Sequence, residues 1–257
     1  MNVTANVLAI DAGNSRIKWG IADDSGWLRR AWVDTTDAAS IGAAIEDLPA
    51  PMYIVVSNVA GDGVRDAMTR ALAHLTVAPV WVRAREQQCG VRSGYADPAQ
   101  LGSDRWAGLI AAWKLYRCAC IVVNAGTTVT VDALSGDGVF LGGVIVPGME
   151  LMRRSLARGT AQLTLQPGTF CYFPDNTADA IISGAINALA GAIDRMRGYM
   201  EKMGQFGEDG GHAEHDRPLV LLSGGAAALI QPQLNGRTKL VDNLVLEGLL
   251  EMARNNG

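Results

Sequence analysis

The chain has 257 residues, 49% hydrophobic and 19% charged, so it carries ample apolar content for a large globular core. Its formal net charge of −4 argues against a general nucleic-acid binder, which needs a basic surface to face phosphates. The most apolar stretch, Leu219 to Ile230, is too short to span a bilayer and is interrupted by Ser223 and two glycines, so no membrane span is expected. The start lacks the basic and long apolar segments of a signal peptide, and the expected compartment is the cytoplasm.

The first element is the apolar run Val7 to Ile10, closed by Asp11-Ala12-Gly13-Asn14-Ser15. Ile17, Trp19 and Ile21 then alternate with Arg16 and Lys18, which reads as strand, tight turn, strand. Helices are predicted near 36–48, 62–75 and 102–117. At an offset of 113 residues the pattern returns: Ile121-Val122-Val123 leads into Asn124-Ala125-Gly126-Thr127-Thr128, followed by Val129 and Val131 alternating with Thr130 and Asp132. Strand, turn chemistry and alternation repeat together, which predicts two related α/β halves, 1–117 and 118–257.

In the second half, helices are predicted near 148–158, 177–202 and 240–254. Gly142-Gly143-Val144-Ile145-Val146-Pro147-Gly148 is too glycine-rich for an ordinary strand and marks a close backbone approach, to a ligand or to another element. Residues 204–217, with His212 and His215, read as a surface loop rather than a metal site. The four cysteines show no C-x-x-C pair, and Cys118 and Cys120 read as small apolar residues entering a strand. Arg153, Arg154 and Arg158 read as a solvated helix face. A strand at 219–222 then meets Ser223-Gly224-Gly225, a turn where backbone can approach a ligand before a helix running to Ile230.

Neither G-x-x-x-x-G-K-[ST] nor a strand-linked G-x-G-x-x-G is present. The Asp11–Ser15 turn offers another device. Gly13 permits consecutive N–H groups to converge on an anion, Asn14 and Ser15 add donors, and Lys18 reaches toward a phosphate. Asp11 at a strand end suits a water of hydrated Mg²⁺. In Tyr95–Arg105, Asp104 at a helix start is expected to be held ionised by the helix dipole and to take a hydroxyl proton, and Arg105 to clamp a carboxylate. A capping Asp and a surface Arg would read equally well from that segment alone.

Two phosphate hairpins with a Gly-Gly turn are the arrangement of the actin, Hsp70 and sugar-kinase superfamily. The whole series resembles the type III pantothenate kinases: D-x-G-N-[ST] at Asp11–Ser15, Y-x-x-P-x-x-L-G-x-D-R at Tyr95–Arg105, a D-x-G-T-like Asn124–Thr127, G-G-x-I-x-P-G at Gly142–Gly148, then Asn176-Thr177 with Ala180, Ile181 and Gly184, and Gly224-Gly225. The resemblance implies two ribonuclease H-like halves of the actin-like ATPase fold, and ATP-dependent phosphorylation of the 4′-hydroxyl of pantothenate, the first step of coenzyme A synthesis. It implies Asp104 as general base. Pantothenate would meet Tyr95, Gly102, Ser103, Asp104, Arg105 and Thr177. ATP would meet Asp11, Ala12, Gly13, Asn14, Ser15, Arg16, Ile17, Lys18 and Thr127.

The resemblance further implies Mg²⁺ held through water at Asp11, a K⁺ or NH₄⁺ ion near Asn124, and a homodimer. Asn124 departs from the family, which usually has Asp there. Ser103 replaces the common Ala and is expected to be harmless. Two other readings stand beside this one: a different small-molecule kinase of the superfamily, and a regulatory ATP-binding protein without turnover.

Overall fold

The computed structural model describes residues 6–160, 163, 165–204 and 217–255. His212, His215 and most of the loop expected at 204–217 lie outside the described residues. Contacts divide the chain into two compact units, Met1–Tyr116 with Asn243–Gly257, and Arg117–Asp242.

The first unit contains β1 (Val7–Ala12), β2 (Arg16–Asp23), β3 (Gly26–Asp34), a 3₁₀ turn Thr35–Ser40 running into α1 (Ile41–Ala44), β4 (Tyr53–Asn58) and α2 (Asp62–Ala71). Short strands β5 (Val80–Trp81), β6 (Gln87–Gln88) and β7 (Val91–Ser93) then lead to α3 (Ser103–Tyr116). The sheet order is β3-β2-β1-β4-β5, with β1 antiparallel to β2 and parallel to β4. Every residue of β1 is buried, as expected for a central strand covered on both faces. Leu8, Ile10 and Ala12 join Ile17, Trp19, Ile54, Val56 and Met68 in one core cluster. By the alternation of the strand, Val7, Ala9 and Asp11 occupy the other face. The helix predicted at 36–48 is instead the 3₁₀ turn and a single α-turn, because Asp37 (φ −118°, ψ 46°) breaks it.

The second unit holds β8 (Cys120–Ala125), β9 (Thr128–Leu134), β10 (Val139–Pro147), α4 (Met149–Gly159), α5 (Thr177–Lys202), β11 (Leu219–Ser223), α6 (Ala227–Ile230) and β12 (Thr238–Leu240). Its strands run in the order β10-β9-β8-β11-β12, with β8 antiparallel to β9 and parallel to β11. Order and directions repeat those of the first unit, which is the duplication that the sequence repeat predicts. Ile121, Val123, Val129, Val131 and Ala133 pack with Leu189 and Ile193 of α5. Contrary to expectation, Gly142 to Pro147 lies within a strand. Gly142 (φ +131°) absorbs a register shift after Phe140, so the glycines accommodate a bulge rather than end the strand.

The compact units are cut differently from the expected halves 1–117 and 118–257. The C-terminal helix α7 (Leu244–Arg254) packs with α3 and β1 of the first unit. A Cβ on Gly248 would lie 1.8 Å from the Ala107 carbonyl oxygen, so these two helices meet backbone to backbone. Trp27 Nε1 donates to Glu247 Oε1 (2.7 Å), and Lys114 pairs with Glu251 (3.1 Å). An amphipathic period cannot reveal which half a helix joins; a glycine aimed at α3 decides it.

Candidate functional site

In the first unit the turn between β1 and β2 carries the first constellation. Gly13 N–H donates to the Arg16 carbonyl (3.1 Å), and Val59 N–H donates to that of Ala12 (3.0 Å). Thr35 holds two further carbonyls: its Oγ1 donates to Gly13 O (2.7 Å) and its N–H to Ser15 O (3.1 Å). Gly13's own N–H is thus turned inward rather than toward a ligand. Its φ is not positive and its N–H is spent inside the turn, which leaves the exposed Asn14 at the tip. Ala12 and Ile17 are buried in the core, so only their backbones are available to a ligand. Arg16 is held over the Trp32 ring, 4.1 Å from its centroid. Lys18 stands opposite Asp11 in the β1–β2 register.

Asp11 is buried, and its carboxyl is pushed up from 3.8 to about 7. Burial is the main cause, the Asp104 charge adds to it, and Lys18 opposes it. Asp104, in the first turn of α3, accepts from Arg105 N–H (2.8 Å). Its carboxyl is also raised by burial, against the lowering by that bond and by the Arg105 charge. Burial thus works against the ionised form that the helix start favours. A Cβ at Gly102 would come within 2.7 Å of Asp104 Oδ1, which gives the glycine before Ser-Asp-Arg a steric reason.

Arg105 is buried as well, so it is not the surface arginine of the plainer reading. Its Nη1 donates to Tyr95 Oη at 3.4 Å, and its Cζ lies 5.9 Å from the Tyr95 ring centroid. Asp97 caps the intervening 3₁₀ turn, accepting from Ala99 N–H (3.0 Å). Ser103 and Ser57 form a buried hydroxyl pair at 2.9 Å. Ser57 is the β4 partner of Asp11 in register, so this pair ties the strand beside Asp11 to the helix start that carries Asp104. Nothing in the sequence singled out Ser57 or Thr35, because each matters only through a partner remote in the chain.

In the second unit three glycine segments converge on the β8–β9 turn. Gly126 N–H donates to Thr128 O (3.1 Å), Gly148 N–H to Thr127 O (2.9 Å) and Ala226 N–H to Ala125 O (3.2 Å). A Cβ at Gly148 would stand 2.3 Å from Gly126 O, and one at Gly224 (φ +98°) would stand 2.5 Å from Ala125 O. The close approach read from Gly142–Gly148 is therefore an approach to this turn, made by Gly148. Thr127 is exposed at the tip. Asn124, half-buried, lies between Thr130 on β9 and Ser223 on β11 in register, an oxygen-bearing neighbourhood suited to a hard monovalent cation. Thr177 opens α5, and Asn176 caps it by accepting from Asp179 N–H (2.9 Å).

Glu150 pairs with Arg153 (2.9 Å) and Arg154 (2.8 Å) along α4. Among the described residues no group of three or more His, Cys, Asp or Glu could hold a metal ion, and no helix is long and apolar enough to cross a membrane.

The chain is similar to known proteins over almost its whole length. The family model described as type III pantothenate kinase matches residues 7–198. A type III pantothenate kinase of Nitrosospira multiformis is 48% identical over 248 residues, 96% of this chain and 91% of the relative. A solved Baf family protein of Campylobacter jejuni is 17% identical, with 97% and 98% coverage and a TM-score of 0.56. A Sinorhizobium meliloti structure described as a 2-dehydro-3-deoxygalactonokinase is 17% identical, with 97% and 99% coverage and a TM-score of 0.55. The structural likenesses and the duplicated sheet give the actin-like ATPase fold. The sequence likenesses go further, and by them the chain belongs to the type III pantothenate kinase family.

Proposed function

We propose that this chain transfers the γ-phosphoryl group of ATP to the 4′-hydroxyl of pantothenate. The observation that carries the reading is the grouping of Asp104, Arg105 and Tyr95 in the same unit as Asp11, whose proton affinity the Asp104 charge raises. Phosphoryl transfer asks mainly for positioning and charge neutralisation. Asp104 takes the hydroxyl proton, and burial that raises its proton affinity suits a general base. Arg105, oriented by Tyr95, meets the pantothenate carboxylate, with Gly102, Ser103 and Thr177 completing the substrate contacts.

The Asp11–Lys18 turn and Thr127 hold the ATP phosphates. Asp11 suits a hydrated Mg²⁺, since its buried charge is offset by Lys18 only in part. Bound there, Mg²⁺ would neutralise phosphate charge. Asn124 and its hydroxyl-bearing neighbours suit K⁺ or NH₄⁺, and the working form is a cytoplasmic homodimer. Exposed apolar side chains in the second unit, with Tyr172 79% and Phe173 96% exposed, support a face that a second copy covers.

The test is ADP release by the purified protein with Mg-ATP and K⁺, with pantothenate or with a panel of sugars and polyols. Pantothenate-dependent release with no turnover of the panel is expected. Release stimulated by a sugar instead, or by nothing, refutes the assignment.

A further inference from the structure

A turn that cradles phosphate has to present N–H groups to the ligand, so its carbonyls must find donors elsewhere. In the β1–β2 turn two of those carbonyls, of Gly13 and Ser15, flank Asn14, and both are taken by Thr35 through Oγ1 and N–H. The β2–β3 ladder ends at Arg16 opposite Asp34, so Thr35 is the next residue beyond it. Its N–H extends the strand pairing by one bond, while its hydroxyl reaches a carbonyl that no ladder position serves. Thr35 is half-buried, whereas the adjacent Thr36 is exposed.

We propose that Thr35 is a positioning residue for the nucleotide phosphates: its hydroxyl fixes the Gly13 peptide and thereby the direction in which Asn14 faces the ligand. This rests on the reading of the Asp11–Lys18 turn as the phosphate site. Without the hydroxyl, Gly13 O loses its donor and the peptide on that side of Asn14 is free to rotate. The turn then has to be ordered by the nucleotide itself, which weakens nucleotide binding but leaves Asp104 and the pantothenate side untouched.

Thr35→Val keeps the shape and the N–H but removes the hydroxyl; Thr35→Ser keeps the hydroxyl. For Thr35→Val, KM for ATP and the calorimetric Kd of a non-hydrolysable ATP analogue should rise roughly tenfold, about 1.4 kcal/mol. Its KM for pantothenate and its kcat at saturating ATP should stay within about twofold of wild type. Thr35→Ser should restore ATP affinity to within about threefold. Unchanged ATP affinity in Thr35→Val, or a Ser variant as impaired as Val, overturns the proposal. So does a matched loss in both substrates with a lowered melting midpoint. Asn14→Ala separates the two layers of the argument. If it weakens the analogue and Thr35→Val does not, only the role of Thr35 fails; if neither does, the phosphate-turn reading fails with it.

Discussion

Replacing Asp11 by Asn should make the ligand-free protein more stable at neutral pH while removing its productive use of Mg-ATP. An unfolded Asp releases its proton near 3.8, whereas Asp11 in the fold holds it to about 7. Between those values the folded state binds a proton that the unfolded chain has lost, so this group's contribution falls as pH rises and is fully lost above about 7. At about 1.36 kcal/mol per pH unit, the change from pH 4 to pH 7 amounts to about 4 kcal/mol. Between pH 5 and pH 8 the share is about 3 kcal/mol, or roughly 6–10 °C in melting midpoint for a chain of this size. Asn does not titrate, so the midpoint of Asp11→Asn minus that of wild type should widen by that amount from pH 5 to pH 8. Asp104, which raises the proton affinity of Asp11, is present in both proteins and largely cancels. Saturating Mg²⁺ with an ATP analogue should lift the wild type at pH 8 and leave the variant nearly unmoved. The assay is scanning fluorimetry across pH, with and without nucleotide. A difference that stays constant with pH would refute the claim that a buried, reluctantly ionised carboxylate sits at the end of β1.

Asp104→Asn should lower kcat by roughly two to four orders of magnitude while calorimetric ATP binding survives; near-normal kcat would remove Asp104 from the role of base. Gly224→Ala forces a side chain at φ +98° to within 2.5 Å of the Ala125 carbonyl, so it should lower stability by more than about 2 kcal/mol and weaken ATP use. Gly225→Ala, with nothing within 4 Å of its Cβ, should melt near wild type, and equal losses in the two variants would contradict the assigned contact. Asn124→Asp restores a full charge beside Thr130 and Ser223, so the K⁺ activation curve at fixed ionic strength should move to lower concentration; an unmoved curve would place the cation elsewhere.

Much of this fold is legible because large apolar side chains recur at every second position of the strands. Ile17 and Trp19 alternate into one core cluster, and Val129 and Val131 into the other. The two copies of the repeat do not keep one offset throughout. Asp11 and Asn124 are 113 apart, but the inward residues after the turn match at 112, Ile17 with Val129 and Trp19 with Val131. The second turn is one residue shorter: Ala12 pairs with Ile17 in the first hairpin, Ala125 with Val129 in the second. One residue lost inside a strand would turn every side chain to the wrong face, and its loss in the turn is harmless. The site was legible where chemistry sits in a short string, as at Tyr95–Arg105. Ser57, Thr35 and the place of α7 were not, because a hydrogen bond over 46 or 22 residues leaves no local pattern.

Both turns have carbonyls held by backbone N–H groups, and they differ in how closely that backbone approaches. In the second unit the carbonyls of the β8–β9 turn are held by backbone N–H groups of Gly148 and Ala226. At two points the backbone comes so close to the turn that a side chain is excluded: Cβ atoms at Gly148 and Gly224 would lie 2.3 Å and 2.5 Å from the carbonyls there. In the first unit Thr35 grips one carbonyl through a side chain, which spans the gap without such close approach. Gly13, accordingly, would place a Cβ no closer than 3.3 Å to the Arg16 carbonyl. The glycine-rich segments Gly142–Gly148 and Ser223–Gly225 thus owe part of their composition to holding a turn rather than to touching a nucleotide. Substitution has different consequences in the two places. At Thr35 a hydroxyl can be removed with the shape preserved, so nucleotide affinity can be graded; at Gly148 and Gly224 any side chain displaces the turn itself, and affinity and folding are lost together.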